Sequence, residues 1–403
     1  MPGNPPAPRR NDLDWLRVLV ILVVFIFHCG RFFDTDGWHV KNPVRYQSVM
    51  VWTVFLVCWM MPLIFVISGA STFYALSSRN TARFVKDRSL RLLVPLSVGI
   101  FTHIAFQVYL ERRGFAAFKG SFLEFYPRYF KGFYGSGGNF AWMGLHLWYL
   151  EALFVSSMAF LPLFLWLISQ SGGTWLNAAL GRLVRACGAI YLLAIPQMLL
   201  IALLNPQTFW GQRGFGGWPL IIYLFYFLYG FIIVARPEME EQIQNLRRFS
   251  LTSAIVLFLV LLVAWKTGGD PQYGRLRYSL LMPCFALSSW CFILAILGFG
   301  HRWLGFTNSF VQYSNEAVLP FYILHQTVIL SLGYLVVQWA IPDPLKFAAI
   351  AFSSFLIIVS VYEFLIRRNN VLRFLFGMRM RKVADRARPT EPATQSINVA
   401  AGR

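Results

Sequence analysis

The stretch Leu13 to Phe33, LDWLRVLVILVVFIFHCGRFF, constrains this chain most. It is an apolar run long enough to cross a bilayer as one helix, yet it carries Arg17 near one end and His28 well inside. The two are eleven positions apart. At 100° per residue that is three turns plus about 20°, so both project from one helix face, roughly 16 Å apart along the axis. Asp14 lies one turn before Arg17 on the same side and can pair with it. Two readings are open. In one, Arg17 snorkels to the cytoplasmic headgroups and His28 is a packed polar residue bonded to a neighbouring helix. In the other, the shared face presents a cationic entrance and, farther in, a titratable base, as intramembrane ionisable groups often do.

Similar apolar runs recur along the chain. Of 403 residues 57% are hydrophobic and only 13% charged, and the mean hydropathy is +0.55. That composition implies an all-α, polytopic membrane helical bundle. The net charge of +19 does not point to nucleic acid, because the basic residues flank apolar runs; positive-inside topology and anionic membrane lipid account for them. Cys29, Cys58, Cys284 and Cys291 lie in apolar runs and Cys187 near the start of one, without a CxxC pair. They read as buried small hydrophobes, and no metal site is expected. The Gly-rich FYGSGGNF stretch lacks the Lys-Ser/Thr end and strand–helix setting of a nucleotide loop.

The apolar pattern predicts about ten transmembrane helices, over 13–33, 48–76, 91–111, 145–168, 184–204, 217–235, 249–265, 278–299, 317–339 and 346–366. Residues 1–12 are expected to be a disordered cytoplasmic leader, 13–366 the membrane domain, and 367–403 a basic cytoplasmic tail, disordered towards its end. The first run lacks a small-x-small cleavage site and is expected to stay as a span. RPEMEEQIQNLRR reads as a solvated cytoplasmic connection, and Pro196 and Pro283 as kink positions.

Several polar residues break the apolar runs. Ser68, Gly69, Ala70 and Ser71 are small enough for close helix packing and for a pocket wall. Arg79, Arg83, Lys86, Arg88 and Arg91 form a basic cluster, with Arg88 and Arg91 on one face. Orientation charge and lipid headgroups explain at least part of it. His103 reads as a core histidine bonded to backbone. Trp142, Trp148 and Tyr149 suit an outer aromatic belt. Glu151 is some 140° around the helix from His146, so the two cannot pair on one face; it remains a candidate for the site through another helix. Ser314 and His325 repeat the eleven-residue spacing, with His325 expected at a shallower depth than His28. Glu363 is placed to neutralise a nearby arginine.

Arg17 and His28 with ten residues between them, FVISG at Phe65–Gly69, RSLR at Arg88–Arg91, HLWYLE at His146–Glu151 and LPFYILH at Leu319–His325 together resemble the acyltransferase-3 family of integral membrane acyltransferases. WHV at Trp38–Val40 is similar to the branch that modifies periplasmic glucans. The resemblance implies O-acyl transfer from a cytoplasmic acyl-CoA donor, acetyl and succinyl both open, to a hydroxyl of an extracytoplasmic glycan or glycolipid. It implies His28 and Arg17 as catalytic residues, with His28 either general base or acyl carrier. Arg88, Arg91 and Arg17 would bind the donor's phosphates, and Asp14, Ser68, Glu151, Ser314, Tyr322 and His325 would line the pocket. The rivals are a non-enzymatic transporter or flippase using the same residues as a substrate path, and an N-acyltransferase acting on an amino sugar.

Assigning alternate connections to one side places most Lys and Arg there, both tails included, so both termini are expected in the cytoplasm of a bacterial cell. Reporter fusions at Gly137 and after Arg381 should therefore report opposite sides of the membrane. The same side for both would overturn this topology.

Overall fold

The computed structural model describes residues 10–185 and 188–381. Most of the expected leader, Cys187 and the end of the tail lie outside these residues. The part of the leader that is described is ordered: α1 starts at Asn11 and runs to Gly30. Its first turn carries Asp12 and Asp14, which favour the positive end of the helix dipole.

The described residues form helices and no strand. After α1 come α2 (Gln47–Ser77), α3 (Thr81–Phe101), α4 (His103–Gly114) and α5 (Phe122–Tyr129). Next are α6 (Trp148–Ala159), α7 (Leu161–Ile168), α8 (Gln170–Arg185), α9 (Ile195–Leu203) and α10 (Leu220–Val234). The chain continues with α11 (Pro237–Gly268), α12 (Leu276–Trp303), α13 (Ser309–Val336), α14 (Asp343–Ser360) and α15 (Asn370–Leu375). A π-helical turn, Val361–Ile366, extends α14.

Six of these helices are long and apolar enough to cross a membrane, or eight if each of two bent pairs is one span. The bent pairs are α3 with α4, at 40°, and Leu145–Ala159 with α7, at 52°. By length and composition that is fewer, among the described residues, than the ten expected. The runs at 184–204 and 217–235 yield only the shorter helices Ala189–Leu203 and Leu220–Val234. The first of these is 3-10 over Ala189–Ala194, and Pro196 opens the α-helical part without kinking it. Gly216 and Gly217 take positive φ and Pro219 follows, which delays α10.

Other boundaries move as well. The segment 236–248 is not a separate connection: from Pro237 it forms the first turns of α11, which bury Met239 and Ile243 and leave most of the other side chains at least partly exposed. α13 begins at Ser309, where the Asn308 side chain accepts from the Val311 N–H at 2.9 Å. Trp142 is 45% exposed, but Trp148 and Tyr149 are buried. They pack inward on Phe65 and are not belt residues. Cys29, Cys58 and Cys291 are buried and Cys284 is half-buried, all as free thiols.

α1 and α13 run side by side and start together, because Asn11 and Trp15 donate to the carbonyls of Gly305 and Phe306 at 3.0 Å each. Across the bundle, α2 and α10 come into backbone contact. A Cβ on Gly69 would lie 1.9 Å from the Phe227 carbonyl oxygen, and one on Gly230 would lie 1.9 Å from that of Val66. The FVISG glycine is thus a close-packing position.

Gly69→Val and Gly230→Val should each lower stability by about 3 kcal/mol or more, since the opposing atoms are backbone and cannot rotate away. Thermal unfolding in detergent checks this; unchanged melting in either variant would refute the contact.

Candidate active site

The inner layer of the site is built on the small-residue end of α2. Arg17 donates to Ser71 Oγ at 2.6 Å and pairs with Asp14 at 3.2 Å, as the spacing predicts. Arg88 donates to Thr72 Oγ1 at 2.6 Å and to Ser157 Oγ at 3.1 Å. Arg91 is exposed and its guanidinium has no hydrogen-bond partner among the described residues. Arg91 lies in the field of Arg17, Arg79 and Arg379. Several guanidiniums thus converge with hydroxyls, not carboxylates, as most of their partners. Such a cluster favours an anion.

One turn farther along α2, Ser68 Oγ meets the Tyr149 hydroxyl at 2.6 Å. Tyr149 packs edge-on to Tyr322 with ring centroids 5.7 Å apart, and Tyr322 lies 5.5 Å from His325. His325 Nε2 is 3.3 Å from His28 Nδ1. Hydrogen bonds and packed aromatic rings therefore connect the guanidinium layer to a pair of imidazoles.

His325 is not shallower than His28. α13 starts at Ser309, earlier than its apolar run suggests, so His325 is about as many residues into α13 as His28 is into α1. Parallel helices with a common start put the two rings at one depth, about 25 Å from their N-terminal ends at 1.5 Å per residue. Arg17 and Ser314 share the inner level for the same reason.

Hydrogen bonding defines the tautomers. His28 Nδ1 lies 2.8 Å from the Val24 carbonyl, so it carries the proton and leaves the Nε2 lone pair free. The His325 Nδ1 proton is donated to the Tyr322 carbonyl, and its Nε2 accepts from His28. His146, on the 3-10 turn Leu145–Leu147, donates from Nε2 to the Ile323 carbonyl at 3.0 Å. Gly144 at φ +73° and Leu145 at φ +48° turn the chain inward there. Leu145 holds a conformation that is unfavourable for a branched side chain.

Above this pair lies a third group. Trp38 is 6.1 Å from the His28 ring. His39 Nδ1 is bonded to Glu111, which also accepts from Tyr134 at 2.7 Å and from Arg112 at 2.9 Å. Gln326 donates to His39 Nε2 at 3.3 Å and to Gln107 Oε1 at 3.1 Å. His103 bonds the Thr327 hydroxyl at 2.9 Å, a side chain and not the expected backbone group. Five of the six histidines thus belong to one connected cluster. Sequence reading missed His39, Glu111, His146 and Tyr149 as site residues. WHV was the only pointer to the first.

Two nominated residues are not brought in. Glu151 is half-buried, and its Oε2 has no hydrogen-bond partner among the described residues. Ser314 sits a layer away from the imidazoles. Glu363 neutralises Arg367 at 2.9 Å. No group of three His, Cys, Asp or Glu side chains among the described residues could hold a metal ion. An apolar cleft of about 480 Å³ lies outside the histidine cluster, between Gly30, Trp52 and Phe347.

An intramembrane layer of imidazoles, reached from a guanidinium cluster, sits within the region that matches a known family. Residues 10–363 match the family described as Acyltransferase domain, and the chain belongs to this acyltransferase-3 family. It is a membrane acyltransferase. Among curated proteins it is similar to glucans biosynthesis protein C of Salmonella paratyphi B, 23% identical over 342 residues covering 82% of this chain and 85% of that protein. The protein of the same name from Salmonella schwarzengrund is 22% identical over 382 residues, 93% of this chain and 96% of that protein. No solved structure matches significantly.

Tyr322 donates its hydroxyl to the His146 carbonyl, which leaves no free proton for substrate. Tyr322→Phe should lower stability by about 1–3 kcal/mol through the unsatisfied buried carbonyl, with little change in turnover per folded molecule. A large loss of turnover at unchanged melting temperature would instead make the hydroxyl a participant.

Proposed function

We propose that this acyltransferase moves an acyl group from a cytoplasmic acyl-CoA to a hydroxyl of an extracytoplasmic glycan. The observation that carries the reading is the arrangement of the Arg17 and Arg88 guanidiniums on α2 hydroxyls, joined through Ser68, Tyr149 and the packed Tyr322 ring to the His325–His28 pair. A donor with phosphates at one end and a thioester at the end of a long thin arm matches a site whose anion-binding end and base are this far apart. The names of the curated relatives motivate the choice of a glucan acceptor. The topology that goes with it has ten spans, counting both bent pairs and both shorter helices, with the two termini in the cytoplasm. The membrane domain is then 13–366, with the basic tail beyond it.

In this scheme Arg91 offers its unengaged guanidinium to the donor's phosphates, while Arg17 and Arg88 are held in place by α2 hydroxyls. His28 contributes the Nε2 lone pair. It serves either as general base towards the acceptor or as nucleophile towards the thioester, and its Nδ1 bond to Val24 sets the ring orientation in both cases.

The test is thiol release from acetyl-CoA and from succinyl-CoA by purified protein with a gluco-oligosaccharide, followed by the mass and linkage of the product. Acceptor-dependent release and an ester are expected. An amide would make the enzyme an N-acyltransferase, and no release from either donor would remove the reading. His28→Gln keeps a hydrogen-bonding side chain but loses the titratable nitrogen. It should melt like the parent yet transfer roughly 10²–10⁴-fold more slowly. Arg91→Ala should weaken coenzyme A binding by about 1.5–3 kcal/mol, the value of a charge-assisted bond, without a fall in melting temperature. Near-normal transfer in the first variant, or unchanged binding in the second, would count against these roles.

A further inference from the structure

We propose that His39, oriented by Glu111, is the base that takes the proton from the acceptor hydroxyl, an inference that rests on the acyl-transfer reading above. The pair is built like the imidazole–carboxylate unit of a hydrolytic triad. Glu111 accepts the Nδ1 proton of His39, which holds the tautomer with its lone pair on Nε2. The carboxylate would also stabilise the imidazolium formed when that nitrogen gains a proton. His28 has no such partner: its Nδ1 bonds a backbone carbonyl and a neutral imidazole.

The position suits an acceptor that arrives from the outer side. His39 follows Trp38, whose ring lies 6.1 Å from His28, and Trp38 in turn follows the exposed segment Thr35–Gly37. The loop is tied down by Asp34, fully buried, which accepts from Arg31 at 2.6 Å and from Lys41 at 2.7 Å. Burial pushes the Lys41 ammonium below its ordinary pKa, against the pull of Asp34. Facing this loop, Tyr134 and Arg112 close over Glu111, with the Arg112 guanidinium stacked 5.6 Å from the Tyr134 ring. Arg112 also grips Asn139 Oδ1 and the Gly138 carbonyl at 2.9 Å each. Partly exposed Trp38, Tyr134 and Asn139 offer the aromatic faces and polar groups that a hydroxyl-rich sugar can use. Among the described residues the Nε2 lone pair is capped only by Gln326 at 3.3 Å, a long hydrogen bond that an incoming hydroxyl can replace.

The step balances with His28 as the acyl carrier. The acceptor O–H proton passes to His39 Nε2 as the oxygen forms a bond to the acyl carbon. The bond between that carbon and His28 Nε2 breaks, and its electron pair returns to the imidazole. His39 then releases its proton to solvent, and the departed donor thiolate takes one up. Two imidazoles thereby divide the roles that one would otherwise fill in turn.

The experiment compares two acceptors in the full-length protein, with acetyl-CoA and succinyl-CoA as donors. Hydroxylamine is a free nucleophile at neutral pH and needs no base; a gluco-oligosaccharide does. His39→Gln is expected to keep thiol release and hydroxamate formation while losing ester formation roughly 10²–10⁴-fold. Glu111→Gln, which preserves volume and hydrogen bonding, should show the same selective loss to a smaller degree and covers the case in which His39→Gln folds poorly. Equal loss with both acceptors in both variants would make the pair structural and overturn the proposal. So would normal ester formation in either variant. If the parent protein cleaves neither donor, the acyl-transfer reading itself falls, and the role of the dyad falls with it.

Discussion

A polar side chain surrounded by hydrocarbon has to find its partners inside the protein, and here six consecutive residues of α13 satisfy most of that demand. The Tyr322 carbonyl holds His325, the Ile323 carbonyl holds His146, and His325 meets His28. Gln326 reaches His39 and Gln107, and Thr327 reaches His103 and Gln107. Residues 322–327 make about one and a half turns, so they point all around the helix and can serve neighbours on several sides within a short length of it. The imidazoles from α1, the loop that follows it, α4 and the turn before α6 converge on that short segment.

The rest of the architecture supports this layer. α1 must run parallel to α13 from a common start, which the Asn11 and Trp15 bonds to the 305–306 backbone enforce. The far wall is α2, pressed on α10 through Gly69 and Gly230. Its small side chains between Ser68 and Thr72 leave hydroxyls, not bulk, facing Arg17, Arg88 and Tyr149. After α1, the buried Asp34, held by Arg31 and Lys41, anchors the loop that carries Trp38 and His39.

Much of this was legible in the amino-acid order. The all-helical class, the apolar stretches, the Asp14–Arg17 pair and the shared face of Arg17 and His28 all follow from composition and from the 3.6-residue period. These are local properties, carried by residues within a few turns of each other. The family was legible too, because its short motifs keep their residue identities. What the order could not supply was the relative height of separate helices. His325 was placed too shallow because the polar first turns of α13 do not look like membrane span. Trp148 and Tyr149 were assigned to an interface because nothing local says that the preceding chain, through Gly144 and Leu145, dips inward before α6 begins.

The sequence by itself therefore determined that this chain is a helical membrane protein with a cationic end and a histidine on one face of its first helix. Only the tertiary structure decided which side chains meet that histidine. Such meetings depend on where each helix starts and on how loops of unlike length set one helix against the next. His39 and Glu111 are 72 positions apart, and His28 and His325 are 297. No periodic pattern reaches across such separations; only packing of the whole bundle brings them within bonding distance.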